Sequence, residues 1–282
     1  MKVVFGCYVH EFRQDHCNNL IEEVSKRGHE AILAEEGKVY DADFMIQVDQ
    51  IYPKAANKGI LMNHGLVNFP QNGFHYQDGY KKDVEAHSDM IFVPSKEWLD
   101  FYSIYEKPMF VAGYPKLDKL FNNLTPDPAT VVFAPTHHCK EDVHCNWDVD
   151  EIKKVCNDHG FKFIHRGHPA FCENDTSLDD LLQRATIVIS DYSSVGLEAL
   201  ALRIPTILIG NERWRKNNHI SHLASINAGQ RVYDWDEFNE ALDLVKDPKF
   251  NMKARIVWSN KLCKYKGTSA KRMVDLMEGF CD

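Results

Sequence analysis

The chain has 282 residues, 44% of them apolar and 26% charged, with no low-complexity tract, enough for one large domain or two ordinary ones, each with its own core. No apolar run approaches the roughly 20 residues that span a bilayer, and the opening MKVVFGCYVH reads as a strand rather than a secretion signal. A formal charge of −8 opposes nonspecific attraction to DNA or to an anionic membrane, so a soluble, cytoplasmic protein is expected.

From the start, short apolar runs alternate with helical patterns. Strands are predicted at Val3 to Val9, Ala31 to Ala34, Phe44 to Val48, Ile60 to Met62, Met90 to Val93 and Met109 to Ala112, with helices around Asn18 to Lys26 and Lys96 to Tyr102. Gly113-Tyr114-Pro115 then breaks the pattern, and a turn-rich loop follows at 122–128. The rhythm restarts with strands at Val131 to Ala134, Lys162 to His165, Thr186 to Ser190 and Thr206 to Ile209. Helices are predicted near Val149 to Asn157, Leu178 to Arg184, Val195 to Leu202, Asp236 to Val245 and Ser269 to Glu278. This is the βαβ rhythm of parallel sheets. The expected fold class is α/β with two Rossmann-like, doubly wound domains over 1–115 and 116–265, and a C-terminal helix within 266–282 that packs back on the first.

Eight cysteines are scattered without paired spacing and read as reduced thiols. His137, His138, Cys139, His144 and Cys145 offer zinc-ligand chemistry but lack the two separated pairs of a structural site, so no metal is expected. Between Pro248 and Val274 there is no acid, while Lys249, Lys253, Arg255, Lys261, Lys264, Lys266, Lys271 and Arg272 are interleaved with Trp258 and Tyr265. Arg213, Arg215 and Lys216 form a second basic knot. Such runs are most often solvated faces, and contacts to an acceptor or to phosphate are the alternative.

Ligands of doubly wound sheets sit outside the carboxyl ends of the strands. That rule selects His64 after the strand ending at Met62, Thr136 after Ala134, Arg166 and His168 after His165, and Asp191, Ser193 and Ser194 after Ser190. The last stretch, Ile187 to Glu198, is the most specific: an apolar strand breaks into small polar residues where a helix begins. Such a start presents backbone N–H groups and the positive pole of the helix to an anion, although Asp and Ser there also serve as ordinary caps. Glu198, one turn along, is placed to accept hydrogen bonds from a ribose.

The ordered series Asn63-His64-Gly65, Ser88-Asp89, Val93-Pro94-Ser95, Gly113-Tyr114-Pro115-Lys116-Leu117-Asp118, Ala134-Pro135-Thr136, Arg166-Gly167-His168-Pro169, Ser190-Asp191-Tyr192-Ser193-Ser194 and Gly267-Thr268-Ser269-Ala270-Lys271-Arg272 resembles the CDP-glycerol glycerophosphotransferase family. The resemblance implies a GT-B fold, two Rossmann-like domains facing across a cleft, and transfer of glycerol phosphate from CDP-glycerol to an acceptor hydroxyl with loss of CMP. It makes His64 the base that deprotonates the acceptor, work that suits an imidazole's near-neutral pKa. Arg166 and His168 would face the donor phosphates, Thr136, Ser193 and Ser194 would contact them, and Asp191 would cap the helix or orient His168. Glu198 would hold the ribose, and Gly113 and Pro115 would form the interdomain hinge. Asp118 is expected to be structural.

No cofactor is required beyond a nucleotide-linked donor, CDP- or UDP-based, and a hydroxyl-bearing acceptor. Because the chain begins directly at its first strand, a soluble acceptor is expected beside the polymer of the family. Two other readings share the same cradle: a glycosyltransferase attacking an anomeric carbon, with an acceptor such as hydroxymethylated bases in DNA, and a nucleotide sensor without turnover.

Overall fold

The structure, a computed structural model, describes residues 1–6, 14–35, 38–48, 56–62, 65–66, 78–136, 147–168, 176–191, 193–210, 224 and 227–281, without the side chains of residues 78–80 and 101. Its contacts divide the chain into two compact units, Met1–His64 with Asn68–Asn122 and Cys263–Asp282, and Asn123–Leu262 with Gly65–Val67.

The first unit carries six parallel strands: β1 (Lys2–Gly6), β2 (Glu30–Leu33), β3 (Phe44–Val48), β4 (Lys58–Met62), β5 (Met90–Val93) and β6 (Met109–Val111), in the order β2-β1-β3-β4-β5-β6. Every residue of β3 and β5 is buried, as expected of a parallel sheet covered on both faces, and this is why those strands read as unbroken apolar runs. Helices α1 (Asn18–Lys26), α2 (Asp78–His87) and the short α3 (Leu99–Tyr102) belong to this unit. The single helix expected over Lys96 to Tyr102 is a 3-10 turn, Lys96–Trp98, followed by α3.

The second unit holds β7 (Thr130–Phe133), β8 (Lys162–His165), β9 (Ile187–Ser190), β10 (Thr206–Ile209) and β11 (Gln230–Val232), all parallel, in the order β11-β10-β9-β7-β8. Its helices are α4 (Val149–Asp158), α5 (Leu178–Arg184), α6 (Ser194–Ala201), α7 (Trp235–Val245) and α8 (Met252–Leu262). The helix starts are encoded locally: the side chains of Asp148, Ser177 and Asp234 each accept backbone N–H groups of the first turns of α4, α5 and α7. Phe133, Ile152, Ile187, Ile189, Ile207, Phe238 and Leu242 form its core, each such side chain contributing about 1.5–3 kcal/mol on burial. Strand order reverses between β7 and β9, because β8 lies on one side of β7 and β9, β10 and β11 lie on the other. That reversal opens the crevice in which doubly wound sheets bind ligands.

The last helix, α9 (Ser269–Gly279), belongs to the first unit, where Ala270, Met273, Val274 and Met277 join Leu20 and Val24 of α1 in the core beneath the sheet. Residues 116–122 also fall in this unit, so the division lies at 122/123 and 262/263. The cause is visible at Asp118, whose carboxylate accepts the Ser269 and Ala270 N–H groups at 3.0 and 2.7 Å and so caps α9 across 151 residues of sequence. Arg27 fastens the other end, bonding Asp275 at 2.7 Å and Glu278 at 2.8 Å.

Candidate active site

Thr136, Arg166, His168 and Asp191 sit at the carboxyl edge of the second unit's sheet. Phe133 pairs with His165 on one side and Ile189 on the other, so the residues that follow, Thr136, Arg166 to His168 and Asp191, leave three adjacent strands side by side. Arg166 prolongs the ladder, its N–H donating to the Phe133 carbonyl at 2.9 Å. The loops after β7 and β9 flank the point where strand order reverses.

Asp191 ties those two loops together. Thr136 donates its N–H to both carboxylate oxygens at 2.9 and 3.0 Å and its hydroxyl to Oδ1 at 2.7 Å, while the Ser193 N–H donates to Oδ1 at 2.9 Å. Asp191 is buried, 9% exposed. Burial pushes its pKa up from the ordinary carboxylate value, and the bonds from Thr136 and Ser193 pull it back. Asp191 therefore closes the turn that leads into the helix after β9, while Ser193 is the helix cap. In addition it consumes both donors of Thr136, a link that no short spacing announces, because the partners are 55 residues apart.

The turn opens α6. Ser193 is its N-cap, extended at φ −64° and ψ 150°, and its hydroxyl accepts the Val195 N–H at 3.3 Å. With the Ser193 and Val195 N–H groups so engaged, the N–H groups of Ser194 and Gly196 are the ones in this first turn that have no partner among the described residues. Together with the positive pole of the helix they make an anion-attracting end. The Ser194 hydroxyl donates to Glu198 Oε1 at 3.3 Å, and Glu198 is wholly buried.

Gly196 seats this helix. A Cβ there would lie 2.5 Å from Leu208 Cδ2 and 3.2 Å from Ser190 Cβ, so only glycine lets α6 lie so close to β9 and β10. Ser190 is itself fixed by donating its hydroxyl to the Ala134 carbonyl at 2.7 Å.

The expected hinge residues lie in the first unit. Gly113 has φ +89°, and a Cβ would stand 2.3 Å from Ser269 Oγ and 2.7 Å from the Lys264 carbonyl. Pro115 opens a 3-10 turn, Pro115–Leu117, whose Pro115 and Lys116 carbonyls accept bonds from Asn19 at 2.7 and 3.1 Å. His16 and the Tyr114 hydroxyl are hydrogen-bonded at 3.1 Å, and the motif Gly113 to Asp118 forms the seat of α1 and α9. His64, Arg213, Arg215 and Lys216 lie outside the described residues, as does the His137 to Cys145 cluster. In the acid-free segment, Arg255 is not a surface cation: it is 1% exposed.

Residues 77–279 match the model of the family CDP-Glycerol:Poly(glycerophosphate) glycerophosphotransferase. The chain belongs to this family. No curated protein matches the sequence. Among solved structures, the wall teichoic acid polymerase TagF is 14% identical, with a TM-score of 0.72 over 99% of this chain and 89% of that one. The UDP-GlcNAc 2-epimerase from Methanocaldococcus jannaschii is 15% identical, at 0.64 over 99% of both chains. The spinosyn rhamnosyltransferase SpnG is 10% identical, at 0.59 over 99% and 100%. Identities this low speak to fold, and the fold is the α/β GT-B arrangement of two Rossmann-like units. The glycerophosphotransferase is an enzyme, a transferase that draws on a nucleotide-activated donor. Among the described residues no helix is long and apolar enough to cross a membrane.

Proposed function

We propose that the protein transfers glycerol phosphate from CDP-glycerol to an acceptor hydroxyl, and that the first turn of α6 holds the donor diphosphate. The observation that carries this reading is the pair of N–H groups at Ser194 and Gly196 that have no partner among the described residues, at the point of strand-order reversal, in a chain of the glycerophosphotransferase family. The acceptor oxygen attacks the phosphorus that bears glycerol. A P–O bond forms there as the pyrophosphate P–O bond breaks, and CMP leaves with the bonding pair. Charge grows on the CMP phosphate, where fixed N–H donors and the helix pole stabilise it without reorganising.

Arg166 and His168, at the carboxyl end of β8, add positive charge to the diphosphate in this reading. Ser194 contributes its N–H and its hydroxyl, and Glu198 serves the ribose. Asp191 acts as a brace that holds Thr136 and Ser193 in place rather than as a phosphate ligand, because a carboxylate repels phosphate. His64 is the base that takes the acceptor proton. Its assignment rests on the Asn63-His64-Gly65 motif. The membership of the family favours this reaction over glycosyl transfer and over sensing without turnover.

Two variants test the division of labour. His64→Ala is expected to lower turnover by about 100-fold or more while leaving CDP-glycerol affinity unchanged. Arg166→Ala is expected to weaken CDP-glycerol binding about 10-fold or more in calorimetric titration. Equal loss of donor affinity in both would show that the base and the phosphate contacts are not separate.

A further inference from the structure

Helix α6 is held at its far end by a helix that composition and periodicity do not announce. Its own chain closes the last turn in a Schellman pattern: Arg203, at φ +66°, donates its N–H to the Leu200 carbonyl at 3.0 Å, and Ile204 donates to the Ala199 carbonyl at 2.9 Å. The carbonyls of Ala201 and Arg203 are left over, and α8 supplies donors to both. The Ser259 hydroxyl donates to Ala201, and Arg255 Nη1 donates to Arg203 at 2.5 Å. The same guanidinium donates from Nε to the Phe250 carbonyl at 2.9 Å and from Nη2 to the Pro248 carbonyl at 2.5 Å. One cation, 1% exposed, thus locks the turn before α8 to the end of α6.

The cation also meets the negative pole of α6, the favourable place for it. A helix of eight residues is about 12 Å long and behaves as one body, and Gly196 leaves its other end no slack against Leu208. A tilt at Ala201 to Arg203 is therefore carried to Ser194 and Gly196.

We propose that Arg255 and Ser259 are positioning residues of the donor site, which act through α6 by fixing where its first-turn N–H groups stand. The proposal rests on the reading of that turn as the donor-phosphate site. Neither residue touches the donor.

The test is titration of CDP into the full-length wild-type protein and into Ser259→Ala, Ser259→Thr, Arg255→Lys and Arg166→Ala, with thermal unfolding and steady-state kinetics alongside. Ser259→Ala and Arg255→Lys are expected to weaken CDP about fivefold or more and to raise the KM for CDP-glycerol with kcat little changed, while Ser259→Thr, which keeps the hydroxyl, restores wild-type affinity. CDP affinity within twofold of wild type in both Ser259→Ala and Arg255→Lys, with the melting temperature lowered, would make the contacts merely structural and overturn the proposal. Unchanged affinity in Arg166→Ala would instead remove the donor-site reading, and the proposal with it. A loss in Arg166→Ala without one in Ser259→Ala or Arg255→Lys overturns the proposal alone.

Discussion

Two carboxylates, buried Asp191 and half-buried Asp118, show how a single residue can organise the chain around it. Asp191 accepts from Thr136 and Ser193, so replacing it with alanine leaves half-buried donors without that partner, at about 1 kcal/mol each. Asp191→Ala is expected to lower both stability and CDP affinity. Thr136→Val should weaken binding in the wild type and do almost nothing in Asp191→Ala, and additive losses in a double-mutant cycle would contradict the brace. Asp118 makes a statement about pH. Burial pushes its carboxyl up from 3.8 to about 6, against the pull of the Ala270 and Ser269 N–H groups. The folded chain then binds the proton more tightly than the unfolded one, so this group's contribution to stability is greatest below pH 4 and is lost as pH rises to about 6, with a full swing of about 3 kcal/mol. Asp118→Asn should abolish that slope, which denaturant unfolding at a series of pH values from 4 to 7 measures; a slope equal to wild type would contradict the assignment.

Elements were legible in the sequence wherever burial and periodicity agree. The inner strands of both sheets stood out because buried parallel strands are apolar throughout, as Ile187 to Ile189 and Met90 to Val93 are. The site helix was legible from its turn, since Asp191, Ser193 and Ser194 follow an apolar strand and open an apolar helix. Helix α8 was hidden because its pattern is inverted: Arg255 and Ser259 face inward while Ile256 and Val257 are 38% and 50% exposed, so no apolar stripe marks it. Strand β11 escaped for a related reason, having a single buried residue, Val232, in three. The Asp191 to Thr136 brace and the Asp118 cap were illegible because they join residues distant in sequence through backbone N–H groups, which every residue carries. The Schellman end of α6 places a non-glycine residue at positive φ, so Arg203→Gly should raise stability by about 0.5–1 kcal/mol, read as an increase in the urea midpoint. A fall would show that the exposed Arg203 side chain has a partner that matters.

At the scale of the whole molecule, the chain leaves its first unit at 122, builds the second, and returns at 263 to finish the first with α9. Motifs that follow one another in sequence therefore serve different units. Gly113 to Asp118 and Gly267 to Arg272 meet within the first, where Asp118 caps α9, while Ala134 to Thr136, Arg166 to His168 and Ser190 to Ser194 gather on three neighbouring strands of the second. This explains why the ordered series was recognisable as a family pattern although no single motif was specific. In the proposed reaction the group transferred is glycerol phosphate, taken from a nucleoside-diphosphate donor held on α6. The nucleotide product decides it, because attack at phosphorus breaks the pyrophosphate bond whereas attack at a glycerol carbon would leave that bond whole. Incubation with CDP-glycerol and a glycerol-phosphate acceptor, followed by mass analysis of the nucleotides, is predicted to give CMP in step with acceptor growth by one glycerol phosphate. Release of CDP in place of CMP would contradict attack at phosphorus.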